Sequence, residues 1–414
     1  MKIGLYTLTS PLHDEATVNA TSASFVSEIE SALGLGFEFH GSDFSSYGSD
    51  DLSLIYVRTG GTEGLFQEIY DRLDGPVLLL TSGKSNSLAA SMEILSFLNQ
   101  KGRTGEIIHG SVDYIAKRID VLAKVAKAQQ KISGTRLGVI GQPSDWLISS
   151  AADRVALSGK LGITLVDIPI SELIDEYHKA NLSQCDLSDI AKRFQESAPK
   201  GLAKYYEGAC KIYIALKTIV ERYGLSGLTI RCFDLLDTVH NTGCLALALL
   251  NAEGIPAGCE GDVPTLVTMA VGNALTGESG FQVNPSRIDP EAGEILFAHC
   301  TIPFNMVSGY TFNTHFESGI GIAICGDIPT GEATVFKLSG DLKRSFCCEA
   351  DLLKCQNEAN LCRTQAVLKL KGSADERTAI CKNYFLKSPI GNHHVVFTGA
   401  QKELFDAFVQ QTLL

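Results

Sequence analysis

The segment Gly258-Cys259-Glu260-Gly261-Asp262-Val263-Pro264 joins a short apolar strand to a helix. Asp262 falls where a helix N-cap belongs, with Pro264 tolerated in the first turn, so its carboxylate reads as a cap or as a support behind a site. Glu260 has no such duty. It lies among small residues at a strand end, where flanking glycines let another group approach closely, and reads as a catalytic or metal-binding carboxylate. Four histidines follow late in the chain. His299 ends the run Ile295-Leu296-Phe297-Ala298-His299 and shares a face with Ile295 and Phe297 by strand alternation. A lone histidine in that setting is as a rule a satisfied core residue. His393 and His394 alternate to opposite sides of their strand, so only one of them faces a given site. His315 and Glu317 share a face if Thr314–Gly319 is extended. One carboxylate and histidines on separate β segments match a divalent-metal site of mixed oxygen and nitrogen donors.

Three strand ends earlier in the chain are rich in glycine or polar residues: Arg58–Gly64, Thr81–Ser87 and Gly141–Asp145. Each opens a helix, whose first N–H groups could hold an anion. They read more readily as turn glycines and helix caps, and none is a Walker or GxGxxG motif. All twelve cysteines fall between Cys185 and Cys381, with no CxxC pair. A chain of this length is no disulfide scaffold, and the expectation is buried, reduced thiols.

The elements that must position these residues follow from periodicity. Through residue 133, strand-like runs (Lys2–Tyr6, Leu52–Val57, Pro76–Leu80, Glu106–His109) alternate with helical segments, the pattern of βαβ units and a parallel sheet. After a long helical pattern over Val112–Ile132, the alternation restarts at Arg136–Gly141 and continues through Leu228–Phe233 and Pro256–Cys259. Beyond about Gly280, short strands follow one another without long helices, closed by a terminal helix Glu403–Leu413. The expected fold is α/β, with two Rossmann-like open parallel-sheet domains (1–133 and 134–285) followed by a mainly antiparallel β domain (286–414).

Composition limits the partners. The chain has 414 residues, 45% hydrophobic and 20% charged, with a formal net charge of −12. That suits a folded globular protein and disfavours nucleic acid or an anionic membrane surface, both of which need a basic face. No run approaches the roughly 18 apolar residues of a membrane span. Met1–Tyr6 reads as a first strand rather than a signal peptide. The expected location is cytoplasmic.

Several of these segments are recognisable together. Cys244–Asn251, Gly254-Ile255-Pro256-Ala257-Gly258-Cys259-Glu260-Gly261-Asp262, Ala298-His299-Cys300-Thr301 and Gly391-Asn392-His393-His394 resemble the L-fucose/L-arabinose isomerase superfamily. The likeness is strongest from Leu228 onward, and the first ~200 residues match in pattern only. Members interconvert aldoses and ketoses with a bound divalent metal, usually Mn²⁺. The resemblance implies that Glu260 is the first metal carboxylate, that His299 is a further site histidine, and that His393 or His394 is the C-terminal ligand. The family's second carboxylate would fall 24 residues after Glu260, where this chain has Asn284. An asparagine can offer a carbonyl oxygen to a metal but is no general base. The resemblance therefore implies a divergent branch, in which Asn284 is a neutral ligand or substrate contact.

Aldose–ketose isomerisation moves a proton between C1 and C2, which a metal polarising the sugar oxygens and a nearby acid–base group together make possible. Glu260 is the expected ligand and possible base. Asp262, Glu317 and a metal-bound water are candidates for the missing acid, with His315 beside Glu317 to orient it. His315, Arg363, Trp146 and Asp262 are the expected substrate contacts. Arg231 and Arg363 read also as structural arginines. Trp146, taken to open a helix, could stack on a sugar ring or pack in the core. The resemblance further implies a homo-oligomer, trimer or hexamer. A non-isomerising sugar-binding or carbohydrate-modifying protein of the same fold is the competing reading, and Asn284 favours it.

Overall fold

Seventeen strands are arranged in two parallel sheets, one antiparallel barrel and one two-stranded ribbon. They are seen in a computed structural model that describes residues 1–414, the side chain of Glu15 excepted. Two compact units divide the chain, 1–130 with 406–414, and 131–405.

The first unit holds β1 (Ile3–Leu8), β2 (Glu38–Gly41), β3 (Leu52–Val57), β4 (Val77–Leu80) and β5 (Gly105–Ile108). They pair in parallel in the order β2-β1-β3-β4-β5. This is a doubly wound order that reverses between β1 and β3, distinct from the dinucleotide-binding order 3-2-1-4-5-6. The all-apolar run Val77–Leu80 is fully buried, as a strand covered on both faces must be. Helix Val112–Ile132 forms over the span its pattern predicts.

The second unit begins with a four-stranded parallel sheet of β6 (Arg136–Ile140), β7 (Thr164–Ile168), β8 (Gly227–Ile230) and β9 (Ala257–Gly258), ordered β7-β6-β8-β9. It continues into β10 (Phe281–Asp289), β11 (Glu294–His299), β12 (Gly309–Asn313), β13 (Ala323–Asp327), β14 (Gly331–Leu338), β15 (Ser345–Gln356), β16 (Thr364–Leu370) and β17 (His394–Thr398). Strands β12 and β13 pair as a ribbon. The others close into an antiparallel barrel, β10-β11-β16-β15-β14-β17. A parallel α/β part followed by antiparallel β structure is thus what the chain forms.

One sequence expectation fails locally, and one strand has no clear sequence signal. Residues 146–153 are not helical; the helix runs Arg154–Leu161 and is capped by Asp153, whose side chain accepts from the N–H of Val155 and Ala156. Ser149, Ser150 and Asp153 favour turns and caps over a helix interior, so Trp146 stands in a loop. Strand β10 was hidden by Pro285, which lacks a ladder donor. It is accommodated at a register shift between Pro285 and Arg287.

One helix ties the parallel sheet to the barrel. Val263–Thr276 is capped by Asp262, with proline in its first turn. Gly272 lies in its middle, where a Cβ would fall 2.0 Å from Phe397 Cζ of β17. The missing side chain brings this helix onto β17, and so brings Asp262 to His393.

Candidate metal centre

Glu260 follows β9, a two-residue edge strand fixed by side-chain amides. Asn251 clamps the backbone of Ala257 in both directions at 2.8 and 2.9 Å. The Gln282 carbonyl accepts the Cys259 N–H at 2.8 Å. The chain then turns through two left-handed residues, Glu260 at φ 64° and Gly261 at φ 71°. For glutamate this conformation costs on the order of 1–3 kcal/mol, and such residues gather at functional sites. Gly261 can be no other residue, since a Cβ would lie 2.5 Å from Gln142 O. The Ser144 N–H donates to Glu260 O at 2.9 Å. The loop after β6 thus braces the turn.

The side chains converge. Ligand atoms of Glu260, His299 and His393 all lie within 4.8 Å of one another. His393 Nδ1 donates to Asp262 Oδ2 at 2.8 Å, because an ionised carboxylate can only accept. Its buried Nε2 has no hydrogen bond and faces Glu260 Oε1 at 3.4 Å. His299 Nδ1 meets Thr301 Oγ1 at 3.0 Å. The Trp146 indole N–H donates to Glu260 Oε2 at 2.6 Å while its ring packs edge-on against Phe233. Beneath Asp262 lies the fully buried Lys337, its ammonium 2.6 Å from Thr265 Oγ1 and 3.9 Å from Asp262 Oδ1.

Burial would raise the Glu260 carboxyl, but His393, His299 and the Trp146 indole hold it down at about 2. Burial would likewise neutralise His393, but Asp262 and Glu260 on either side push it up to about 9. Burial and then the charge on His393 press His299 down to about 4. The orphaned His393 Nε2, whose proton a cation would displace, the neutral imidazole of His299 and the ionised Glu260 carboxylate fit a divalent ion. The Asp262–His393 pair is the carboxylate–histidine arrangement that fixes a metal-binding tautomer. Those three side chains would hold the ion.

The remaining candidates divide. Asn284, His315 and Glu317 line a small cavity of about 50 Å³ together with Glu260 and His299. The Asn284 carbonyl accepts from the Asn392 amide at 3.0 Å. The His315 ring is bonded to Ser318 Oγ, not turned to orient Glu317. His394 points away, its Nε2 on the Tyr384 hydroxyl and Nδ1 on Asn392 O. Alternation in β17 separates it from His393. Asp262 is fully buried and serves as cap and histidine partner, out of a substrate's reach. Arg363 is engaged by the carbonyls of Thr314 and Ala359 and stacks over Phe316, holding the loop that carries His315 and Glu317. Arg231 is paired with Asp145 and Asp234. Trp146 is a donor to Glu260 rather than a helix residue or a core residue. No periodic signal in the sequence marks that role, or the burial of Lys337.

Acid should destabilise this centre. Burial and Lys337 press His394 down to about 3, and His299 lies at about 4, against an ordinary value of 6.5. Below pH 6.5 the unfolded chain takes up protons that these folded rings refuse, so stability falls as pH drops, by about 1.4 kcal/mol per pH unit for each ring. His393 is charged in both states over that range and contributes no slope there. Its own contribution is present below 6.5 and is lost as pH rises through about 9. Urea midpoints of metal-free protein from pH 6.5 to 5 should fall accordingly, and His394→Asn should remove about one proton from the slope.

No family model matches the chain. Among curated proteins it is similar to a sulfoquinovose isomerase of Clostridium sp. (strain MSTE9), 25% identical over 232 residues, covering 54% of this chain and 52% of that protein. A sulfoquinovose isomerase of Priestia megaterium is 23% identical over 266 residues, covering 61% and 59%. An L-arabinose isomerase of a Nocardioides species is 23% identical over 222 residues, covering 50% and 44%. The chain therefore spans about half the length of the curated relatives it matches. Together with the motifs around Glu260, His299 and His393, these likenesses support the resemblance to the L-fucose/L-arabinose isomerase superfamily.

Proposed function

We propose that the chain is an aldose–ketose isomerase acting on a sugar or an acidic sugar derivative. The observation that carries this reading is the convergence of Glu260, His299 and His393, with the buried His393 Nε2 left without a hydrogen bond. A divalent ion held there, Mn²⁺ by the resemblance, supplies a Lewis acid that polarises a sugar carbonyl and acidifies the neighbouring C–H. Glu260 holds the ion with its ionised carboxylate, clamped by Trp146. Asp262 keeps the proton of His393 on Nδ1. Glu317, on the exposed rim of the same cavity, is the carboxylate that moves the proton between the two carbons, in place of the acid absent at Asn284. Asn284 and His315 contact sugar oxygens. The protein works in the cytoplasm as a homo-oligomer, trimer or hexamer.

Asn284 also favours a second reading, a metal-dependent carbohydrate enzyme that does not isomerise. One experiment separates the two. Metal-free chain reloaded with Mn²⁺ is given sulfoquinovose, L-arabinose or L-fucose in D₂O and followed by NMR. Isomerisation is expected to yield the ketose with deuterium at the carbon beside the carbonyl. A metal-loaded protein that alters none of these sugars supports the second reading. Glu317→Gln should lower turnover by about 10²-fold or more while Mn²⁺ binding, measured by calorimetry, stays unchanged. Undiminished turnover removes Glu317 from the proton path.

A further inference from the structure

Five of the twelve cysteines, Cys232, Cys244, Cys259, Cys300 and Cys362, line the cavity at the metal centre. Cys300 interacts with Cys244 and Cys362, and Cys232 Sγ and Cys259 Sγ form a separate pair 3.1 Å apart. Each follows the end of a strand in neighbouring parallel strands, β8 and β9, whose pairing sets them side by side. They keep 7% and 5% of their surface, and both border the cavity, so a small oxidant reaches them from it.

We infer that Cys232 and Cys259 form an oxidisable dithiol, a modification site that closes to a disulfide and releases the grip on Glu260. Hydrogen peroxide is the oxidant the small cavity admits. One thiol sulfur attacks the O–O bond, giving a sulfenic acid and water; the other thiol attacks that sulfur, forming the S–S bond and expelling a second water. The two sulfurs lose two electrons together, and the peroxide is reduced to two waters. A dithiol reductant reverses the step by exchange.

The consequence follows from the neighbours. A disulfide draws the sulfurs to about 2.05 Å, roughly 1 Å closer than in the dithiol. Cys259 immediately precedes Glu260, already in a left-handed turn braced on both sides. Cys232 immediately precedes Phe233, against which the Trp146 ring packs while its indole N–H holds Glu260. Both ends of the new bond therefore pull on the support of one carboxylate, and a misplacement of about 1 Å at a reacting centre can cost ~10²-fold in rate.

The chemistry of the pair stands apart from the isomerase reading; only its effect on turnover rests on it. Full-length protein is treated with hydrogen peroxide, alkylated and mapped without reduction. The single tryptophan, Trp146, reports on the site by fluorescence without any substrate. The expected result is a Cys232–Cys259 cross-linked peptide, a fluorescence change and a Mn²⁺ affinity lower by about 10–100-fold, all restored by dithiothreitol. Cys232→Ser and, independently, Cys259→Ser should abolish the cross-link and the fluorescence change. A cross-link between other cysteines, or none, overturns the assignment. A complete Cys232–Cys259 cross-link with unchanged fluorescence and Mn²⁺ affinity overturns the coupling to Glu260.

Discussion

Glu260→Gln is expected to lower turnover by about 10²–10⁴-fold and to weaken divalent-metal binding, while the fold survives. The substitution keeps the shape of the side chain and removes its charge. The Trp146 indole can still donate to the remaining carbonyl oxygen. What disappears is the only carboxylate among the three converging ligands, and with it the charge that offsets a doubly positive ion. His393 also loses one of the two carboxylates that keep it protonated without metal, and should fall from about 9. Turnover, calorimetric Mn²⁺ titration and a thermal melt on the same preparation separate these effects. Full activity with unaltered metal affinity would remove Glu260 from the site.

Asp262→Ala should cost stability instead, by about 3–5 kcal/mol, because it leaves the buried Lys337 ammonium without its carboxylate. It also removes the helix cap on Thr265 and the partner of His393 Nδ1. Asp262→Asn retains an acceptor for the cap and the ring, so it should fold more readily yet bind Mn²⁺ about 10–100-fold more weakly. The double variant Asp262→Asn/Lys337→Met should recover much of the loss seen in Asp262→Ala, since an apolar replacement for a buried charge needs no partner. Urea unfolding checks all three. An Asp262→Ala protein within 1 kcal/mol of the parent would mean that Lys337 is buried without its charge.

The parts of this architecture that were legible in the sequence are those where one residue type has one use. Continuous apolar runs such as Val77–Leu80 read as covered strands, and Asp262 before Val263-Pro264 read first as a cap. Glu260 stood out because no local duty accounted for it. What stayed hidden depends on contacts between distant segments. Alternation says that His393 and His394 face opposite ways but cannot say which way is the site; barrel closure decides it, pairing His394 with Val283 and turning His393 to Asp262. Trp146 was misplaced because an apolar run after a turn looks like a helix start, whereas its loop is fixed by Glu260 O and by Phe233. Lys337 follows the apolar pair Val335-Phe336 in β14, and nothing local foretells a buried carboxylate for it. The thiols were expected to be buried and reduced; all twelve are free, seven are buried and five partly exposed, but the gathering of five at one cavity is a property of the fold.

The central claim is that Glu260, His299 and His393 hold one divalent ion. Titration of metal-free protein with Mn²⁺, followed by electron paramagnetic resonance, tests it most directly. One tightly bound ion per chain is predicted, lost in both His299→Ala and His393→Ala and retained in His394→Ala. Binding that survives the first two substitutions, or that is abolished only by the third, would contradict the account.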